Sequence, residues 1–232
     1  MLNDNCKAVI NQSREMGWVM EPDAKDIMQQ QGLDIPKAIT TRSFVNAAQF
    51  LKKLDTPVVV KAVSPKILHK TEHRAVATNI TSSRMLKQEM DRLKKLPGCE
   101  KILVEQMIQG VEVMVGSKID YQFGPVVILG MGGTSVEIYK DTAIRMAPLK
   151  PEDAFSMVES LKARDLLWGY RGQKGINIDR LSRTMVRFSH LIMTLEDDIE
   201  SIDLNPVICA QGKCIIADAR IILNRDNPVS ND

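Results

Sequence analysis

The sequence predicts an α+β fold divided into two lobes. Short strands and helices alternate along its 232 residues without an internal repeat. Hydrophobic residues make up 44% and charged residues 26%, which is ordinary for a globular protein. This length accommodates one large domain or two small subdomains. We expect the break between the lobes at Ile108-Gln109-Gly110, between two predicted strands.

Apolar residues at helical spacing, together with capping residues, predict five helices. Pro22 lies in the first turn of one helix and Gly32 ends it, while Pro97-Gly98 ends another. The predicted helices cover residues 22–31, the segment after Ser43, the segment after Ser82 or Ser83, residues 151–163 and residues 178–195.

Runs of apolar and β-branched residues predict six strands. Val58-Val59-Val60 has the composition of a buried strand. The predicted strands cover residues 57–63, 102–107, 111–115, 125–129, 199–208 and 213–223. We therefore expect an N-terminal extension (1–20), an N-terminal lobe (21–107), a C-terminal lobe (108–225) and a tail (226–232).

The net charge of +2 and the scarcity of aromatic residues argue against a nucleic-acid-binding protein. No apolar run is long enough for a membrane span, and the first residues lack the order of a signal peptide. We expect a cytoplasmic protein that contacts neither nucleic acid nor membrane. The four cysteines fit no zinc spacing, and we expect them to be buried thiols without chemistry.

The segment Ile202-Asp203-Leu204-Asn205-Pro206 is the first candidate site. In a strand, Asp203 and Asn205 share one face. Pro206 suggests a sheet edge or a strand end, and a second strand returning after Gly212 brings Asp218 close. One interpretation is a polar hairpin with an Asp salt-bridged to Arg220. The other is a Mg²⁺ site beside phosphates, since carboxylate and amide oxygens are suitable ligands.

Charged residues also occur where the pattern predicts burial. Lys61 follows Val58-Val59-Val60, so its ammonium must snorkel, pair with a carboxylate or meet an anionic ligand. Glu105 raises the same question at the end of another apolar strand. Glu112 lies on the polar face of the next strand, where simple solvation also explains it.

Gly130-Met131-Gly132-Gly133-Thr134 follows an apolar strand, which suits either a turn or a backbone cradle for an anion. Glu137 and Arg145 belong to the charge-rich stretch after it, which is either a solvated edge or the lining of a polar site. His69 is either a structural or exposed histidine, or a group for proton or phosphoryl transfer.

Taken in order, these segments resemble the ATP-grasp β subunit, or β domain, of ADP-forming acyl-CoA synthetases, relatives of succinyl-CoA synthetase. The resemblance runs from about Glu21 to Asn224. It is carried by Pro57-Val58-Val59-Val60-Lys61-Ala62-Val63-Ser64-Pro65, Ile67-Leu68-His69-Lys70, Gly110-Val111-Glu112, Gln122-Phe123-Gly124-Pro125, Gly130-Met131-Gly132-Gly133, Val136-Glu137, Arg145-Met146-Ala147-Pro148-Leu149, Arg171-Gly172, Asp203-Leu204-Asn205-Pro206 and Ala217-Asp218-Ala219-Arg220.

The resemblance implies an ATP-grasp fold, two lobes enclosing a nucleotide, and assigns roles to the residues singled out above. For the nucleotide it implies phosphate contact by Lys61, adenine contact by Glu105, Gln106 and Met107, and ribose contact by Glu112. For Mg²⁺ it implies Asn205 and Asp218, with Asp203 beside them. For catalysis it implies His69 as phosphoryl relay, with Arg145 and Glu137.

The reaction implied is that of an acid–CoA ligase: acyl-CoA, phosphate and ADP give carboxylic acid, CoA and ATP. The cofactors are then Mg²⁺ and ADP or ATP. A separate CoA-binding α subunit carries the phosphohistidine, so the chain is active only with that partner, in an assembly resembling a heterotetramer.

One segment departs from the family pattern. Where the family has a glycine-containing loop, this chain has Arg74-Ala75. Loss of both glycines reduces backbone freedom over the phosphates. An alternative is therefore a nucleotide-binding regulatory or structural subunit with weakened catalysis. A stand-alone carboxylate ligase is disfavoured because nothing resembles an added substrate domain.

Overall fold

The computed structural model describes residues 3–132, 141–172, 174–210 and 212–224. The chain folds into two compact units, of which one is formed by residues 36–108 and the other by residues 1–35 together with 109–232. The expected break at Ile108-Gln109 falls at this division. The N-terminal side differs from the expected domains, because residues 21–35 group with the C-terminal part of the chain.

The unit of residues 36–108 contains four strands and two helices. They are β2 (Ala38–Thr41), α3 (Phe44–Lys53), β3 (Val58–Val63), β4 (Val76–Ile80), α4 (Ser83–Leu93) and β5 (Lys101–Gln106). The sheet is antiparallel with strand order β2-β5-β3-β4. Val58, Val60 and Val104 on one face of this sheet share an apolar core with residues of α3 and α4.

The capping predictions for the two helices of this unit are confirmed. The Ser43 hydroxyl accepts a hydrogen bond from the Asn46 amide at 3.3 Å, and the Ser82 hydroxyl accepts one from Met85. Each satisfies an amide that the first helical turn would leave unpaired. The α4 helix ends at Leu93, ahead of Pro97-Gly98.

The second unit begins with α1 (Asp4–Ser13), β1 (Trp18–Val19) and α2 (Glu21–Gln30). Its larger part follows residue 108, and the described residues of that part contain five further strands, three helices and one short strand. These are β6 (Val111–Asp120), β7 (Gly124–Met131), β8 (Thr142–Met146), α5 (Pro151–Ser160), α6 (Asp165–Trp168), α7 (Ile178–Leu195), β9 (Ile199–Cys209), β10 (Cys214–Ile216) and β11 (Arg220–Leu223).

An antiparallel seven-stranded sheet organises this unit, in the order β1-β11-β9-β6-β7-β8, with β10 paired to β9. One face of the sheet packs on the helices. Its residues include Val113, Val127 and Ile202, which share a core with Met185 and Phe188 of α7. The other face, which we call the open face, carries the alternate residues of each strand.

The open face is polar near the middle of the sheet. Gly116 of β6 pairs with Asp203 of β9, which pairs in turn with Arg220 of β11. Residues paired across a ladder point to the same side of the sheet, so these three positions belong to the open face. Glu112 lies four residues before Gly116 on β6 and shares that face.

Two predictions about the last hairpin are wrong. Pro206 does not end its strand, because β9 continues to Cys209 and pairs with both β6 and β10. The ladder shifts register between Val113 and Val115, and the one extra β9 residue at this bulge accommodates the proline. The return strand 213–223 is not continuous either, since it divides into β10 and β11.

The α+β class, with helices packed on antiparallel sheets, is confirmed. None of the helices in the described part of the chain combines the length and apolar character needed to cross a bilayer.

Candidate functional site

Lys61 and Glu105 form a buried ion pair inside the four-stranded sheet. Lys61 pairs with Leu103, and Glu105 pairs with Val59, so the two charged residues are diagonal neighbours on one face. The Lys61 Nζ lies 2.9 Å from Glu105 Oε2, and the side chains are only 7% and 2% exposed. Of the alternatives for Lys61, the structure therefore shows pairing with a carboxylate.

The segment after Glu105 is fixed by backbone hydrogen bonds. The Gln106 amide donates to the Lys37 carbonyl at 2.8 Å, and the Met107 amide donates to the Pro57 carbonyl at 2.9 Å. Both residues are half-buried. The end of β5 thus has a defined path, which is what a segment that positions a planar ligand requires.

His69 lies in the connection between β3 and β4, and its side chain is 53% exposed. Its Nδ1 lies 3.9 Å from Glu72 Oε1. The neighbouring backbone is tightly turned, because the Ala75 amide donates to the Lys70 carbonyl at 2.7 Å. The imidazole is accessible on a turn whose ends are held in place.

Arg74 occupies a left-handed backbone conformation, with φ of 49°. This is the position at which the family pattern has a glycine. A residue with a Cβ is disfavoured there, at a cost of about 1–2 kcal/mol. The turn has therefore kept a glycine-like backbone shape although the glycine is absent.

In the other unit, Asp203, Asn205 and Asp218 converge at the bulge of β9. Asp203 and Asn205 are two residues apart on the open face, and Asn205 is exposed. Asp218 lies between β10 and β11, immediately after Ala217, whose amide donates to the Pro206 carbonyl at 2.9 Å. That hydrogen bond brings the Asp218 segment beside the Asn205-Pro206 peptide.

The two aspartates differ in how their carboxylates are used. Asp203 Oδ2 accepts a hydrogen bond from Arg220 Nη2 at 2.9 Å, which is the salt bridge of the polar-hairpin interpretation. Asp218 Oδ1 accepts from the Ala219 amide at 3.1 Å. The Arg220 guanidinium therefore offsets the negative charge of Asp203.

The donor set suits Mg²⁺ only as a partial cage. The described residues contain no cluster of three or more His, Cys, Asp or Glu side chains able to hold a metal. Asn205 and Asp218 have one amide oxygen and one carboxylate, on two segments whose backbones are joined by the Ala217–Pro206 hydrogen bond. Mg²⁺ is typically held by one or two such oxygens together with substrate phosphates and water. The residues therefore fit a nucleotide-bound Mg²⁺.

Glu112 and Gly132 form a second polar feature of the open face. The Gly132 amide donates to the Glu112 carbonyl at 2.7 Å. A Cβ on Gly132 would lie 2.6 Å from the Glu112 carbonyl carbon, a distance that only glycine avoids. Gly132 is therefore required for close backbone approach at Glu112, whereas the glycine-rich segment beyond it lies outside the described residues.

Arg145 does not lie on the open face of the seven-stranded sheet. Arg145 pairs with Val127, which pairs with Ser117, and these residues belong to the helix-covered face. Its guanidinium donates to Ser156 Oγ on α5 at 2.8 Å and to the Ile144 carbonyl. Glu137, the remaining catalytic candidate, lies outside the described residues.

Lys25 is a residue of this region that the sequence interpretation missed. It is 2% exposed on α2, and its Nζ donates to the Ala217 carbonyl at 2.7 Å. Glu21, one helical turn earlier, lies 2.8 Å from the same nitrogen. A signal was available: Lys25 falls between Ala24 and Met28 on the apolar face of its helix, where a lone ammonium needs a partner.

Cys209 and Cys214 face each other across the β9–β10 hairpin as free thiols, with the sulfur atoms 2.6 Å apart. The hydrogen bond with Cys214, together with burial, raises the pKa of the Cys209 thiol far above its ordinary value. A thiol held in the neutral form is a poor nucleophile. The pair is accordingly part of the core.

Comparison with known proteins gives consistent results. The family model described as ATP-grasp domain matches residues 11–223. The beta subunit of acetate–CoA ligase (ADP-forming) I of Pyrococcus furiosus is 36% identical over 213 residues, which cover 88% of this chain and 91% of the relative.

Solved structures of the dinucleotide-forming acetyl-coenzyme A synthetase 1 of Candidatus Korarchaeum cryptofilum have the same fold. One, in complex with coenzyme A, Ca-AMPCP and HgCl⁺, superposes with a TM-score of 0.86 at 33% identity and covers 94% of this chain and 99% of the matched chain. Another, with coenzyme A and Mg-AMPPCP, has its phosphohistidine segment pointing towards the nucleotide binding site. It matches with a TM-score of 0.82 at 30% identity, covering 94% of this chain and all of that chain.

The extent of these matches, together with the sheet topology and the ordered motifs, identifies the family. This chain belongs to the ATP-grasp domain family, among the ATP-grasp subunits and domains of the ADP-forming acyl-CoA synthetases.

Proposed function

We propose that this chain is the nucleotide-binding β subunit of an ADP-forming acyl-CoA synthetase of the acetyl-CoA type. The full enzyme converts acyl-CoA, phosphate and ADP into carboxylic acid, CoA and ATP, in either direction. Within that reaction the chain binds Mg-ADP or Mg-ATP and exchanges a phosphoryl group with a phosphohistidine on the partner.

The observation that carries the proposal is the backbone contact between the Asn205 segment and the Asp218 segment, at the sheet that also holds Glu112. The Ala217–Pro206 hydrogen bond of 2.9 Å joins the backbone next to Asp218 to the backbone next to Asn205, which supports the pairing of these two oxygen donors. Two neighbouring oxygens in an otherwise incomplete cage favour a cation that arrives with a phosphorylated ligand. Relatives in complex with AMPCP and AMPPCP support the same class of ligand.

We assign the remaining nucleotide contacts by residue type. Lys61 is the cation for the phosphate chain, and Glu105 holds its ammonium in one position. Glu105, Gln106 and Met107 form the segment for the adenine, where backbone groups at the end of β5 can recognise the base. Glu112 accepts hydrogen bonds from the ribose hydroxyls.

Asn205 and Asp218 would hold Mg²⁺, which neutralises phosphate charge when bound, with Asp203 beside them. Positioning and charge neutralisation dominate phosphoryl transfer. Lys61 supplies the protein's own share of that neutralisation. The position of Arg145 on the helix-covered face gives no support for the same role, so the proposal does not use it. The catalytic role of Glu137 stays a prediction.

His69 is the candidate for relaying the phosphoryl group. An accessible imidazole nitrogen can attack the phosphorus of the partner's phosphohistidine, so that a P–N bond forms at His69 while the P–N bond of the partner histidine breaks. The new bond breaks in turn when a terminal phosphate oxygen of ADP takes the phosphoryl group and His69 leaves. The 53% exposure of the His69 side chain is compatible with access by a phosphohistidine from another chain.

The residues assigned above contact the nucleotide and the phosphoryl group rather than CoA, so we propose that turnover depends on a partner. We propose a CoA-binding α subunit that carries the phosphohistidine, in an assembly resembling a heterotetramer. The relative in Pyrococcus furiosus is itself named as a beta subunit.

A second candidate function is a regulatory or structural nucleotide-binding subunit with weakened catalysis. It is favoured by one observation, namely that Arg74 holds the left-handed conformation in the turn where the family pattern has a glycine. A stiffer turn retains binding while slowing the movement of His69 toward a donor.

The test combines binding with transfer. Millimolar ADP or ATP with Mg²⁺ should raise the melting temperature, because a ligand that binds the folded state stabilises it. With a CoA-binding α subunit, acetate, CoA and radiolabelled ATP, label should reach the α-subunit histidine. His69→Ala should abolish that transfer and keep the thermal shift, whereas His73→Ala, an exposed neighbour, should change neither.

The outcomes separate the candidates. A thermal shift without any transfer supports the regulatory function and refutes the catalytic one. The absence of a thermal shift at millimolar nucleotide refutes both.

A further inference from the structure

We infer that Lys25, neutralised by Glu21, is the positioning residue for the Asp218 segment. The inference rests on the proposed function, in which Asp218 and Asn205 hold the nucleotide-bound Mg²⁺. It concerns residues in α2 that no part of that proposal uses.

The ion pair is buried and its geometry is tight. Lys25 is 2% exposed and Glu21 is 3% exposed. They are separated by one helical turn, and the Lys25 Nζ lies 2.8 Å from Glu21 Oε1. Removing two charges from water is costly, and only further hydrogen bonds offset that cost. The pair therefore needs a partner beyond the helix.

The Ala217 carbonyl is such a partner. It accepts from the Lys25 Nζ at 2.7 Å, a short hydrogen bond from a charged donor. On its other side, Ala217 donates its amide to the Pro206 carbonyl at 2.9 Å. Ala217, the residue before Asp218, is thus held through both of its backbone polar groups, by α2 and by the bulge of β9.

The preceding residue is held as well. The Ile216 amide donates to the Asp34 carbonyl at 2.9 Å, so the chain approaches Ala217 along a fixed path. Asp218 follows directly, in the connection between β10 and β11, where its direction depends on how Ala217 is held. The Lys25 contact supplies this constraint at the point where β10 has ended and β11 has not begun.

The consequence is a defined separation between the Asp218 carboxylate and the Asn205 amide. A partial cage of two protein oxygens tolerates little disorder, because Mg²⁺ demands near-octahedral geometry. Residues that orient metal ligands without touching the metal typically change its affinity by about 10–100-fold when removed. Lys25 acts in this way through the backbone.

The experiment compares the wild-type protein with Lys25→Met, which keeps the length and apolar stem of the side chain. Without ligand, hydrogen exchange at the Ala217 amide should accelerate about tenfold or more in this variant. The Ala217 carbonyl loses its hydrogen bond to Lys25, so the residue opens more often from the Pro206 carbonyl. The Leu149 amide, which donates to Ser189 Oγ in the same unit, is the internal control and should not change.

The second readout is the Mg²⁺ concentration that gives half of the thermal stabilisation by ADP. We expect Lys25→Met to raise this midpoint at least about tenfold, the lower end of the effect of removing a ligand-orienting residue. Lys25→Arg, which keeps the charge and the donor, should restore most of it. A merely structural role lowers the melting temperature under all conditions and leaves the midpoint unchanged.

If Lys25→Met does not fold, Glu21→Leu with Lys25→Met removes both charges together, so that the buried Glu21 carboxylate is not left without its Lys25 partner. Unchanged exchange at Ala217, or an unchanged Mg²⁺ midpoint, overturns the inference. A wild-type protein with no Mg²⁺-dependent response refutes the proposed function instead, and the ligand-free exchange measurement still decides whether Lys25 holds the segment.

Discussion

The ion pair between Lys61 and Glu105 allows a quantitative test of how the four-stranded sheet tolerates charge. The perturbation is Lys61→Met, which removes the ammonium and keeps the side-chain volume. Because the Nζ–Oε2 distance is 2.9 Å and Glu105 is 2% exposed, the variant leaves a carboxylate inside the sheet without this partner. Removing one member of such a pair typically costs about 3–5 kcal/mol.

Adding Glu105→Leu to Lys61→Met shows whether the ion pair stabilises the fold or whether each charge is tolerated only because the other is present. Replacing both members by apolar residues is often neutral or stabilising. We therefore expect Lys61→Met with Glu105→Leu to be more stable than either single variant. The changes in the free energy of unfolding caused by the two substitutions are then strongly non-additive, as is usual for groups in direct contact.

Lys87→Met is the matched control in the same unit. Lys87 lies 3.3 Å from Asp91 on α4, but those side chains are 61% and 54% exposed. Exposed pairs of this kind contribute about 0.3–0.5 kcal/mol, so the identical substitution should cost well under 1 kcal/mol.

The assay is urea unfolding followed by circular dichroism. Tryptophan fluorescence gives a separate signal for the other unit, since Trp18 and Trp168 both lie outside residues 36–108. Additive costs for the Lys61 and Glu105 single variants, or a Lys61→Met cost as small as that of Lys87→Met, would refute the reasoning.

Two further predictions concern a turn and a thiol. Arg74→Asn should stabilise the protein by about 0.5–1 kcal/mol in urea unfolding, because asparagine tolerates the left-handed conformation at φ of 49° better than arginine; a loss of stability would contradict this. The hydrogen bond with Cys214, together with burial, raises the pKa of Cys209, so the folded state keeps a proton that the unfolded state loses above about pH 8.5. In reducing buffer, the free energy of unfolding should be constant below that pH and fall above it, by up to about 1.4 kcal/mol per pH unit. Cys209→Ala should make this decline shallower. Equal slopes for the wild-type protein and the variant would contradict the prediction.

Much of the fold follows from local patterns that the structure preserves. The apolar face of residues 178–195 predicts α7 with its observed ends, and Ser43 and Ser82 cap their helices as expected. These features depend on neighbours three or four residues away, which the sequence displays directly.

The errors occur where distant segments decide the outcome. Pro206 is compatible with the middle of β9 only because a bulge there accommodates the missing amide. The strand expected over 213–223 breaks around Asp218. Just before it, the Ala217 amide donates to the Pro206 carbonyl and the Ala217 carbonyl accepts from Lys25. Neither the bulge at Pro206 nor the break in the return strand can be predicted from neighbouring residues in the sequence.

The candidate site shows the same division. The motifs single out Lys61, Asn205 and Asp218 because charged and amide groups stand out in apolar strands. Arg145 shows the limit of that reasoning, since the strand register, which a charge pattern does not contain, directs it to the helix-covered face. Lys25 was overlooked although its helical position made burial predictable.

The division of the chain also has a consequence for its biosynthesis. Residues 36–108 form a continuous unit, whereas the other unit is assembled from residues 1–35 and 109–232. During synthesis the unit of residues 36–108 is therefore complete first. The helices in residues 1–35 cannot pack until the strands that follow residue 108 have been synthesised. The ends of the unit of residues 36–108 also lie together, because the Gln106 amide donates to the Lys37 carbonyl at 2.8 Å. Neighbouring ends are typical of segments that tolerate excision or insertion, so residues 36–108 are a natural module for independent expression.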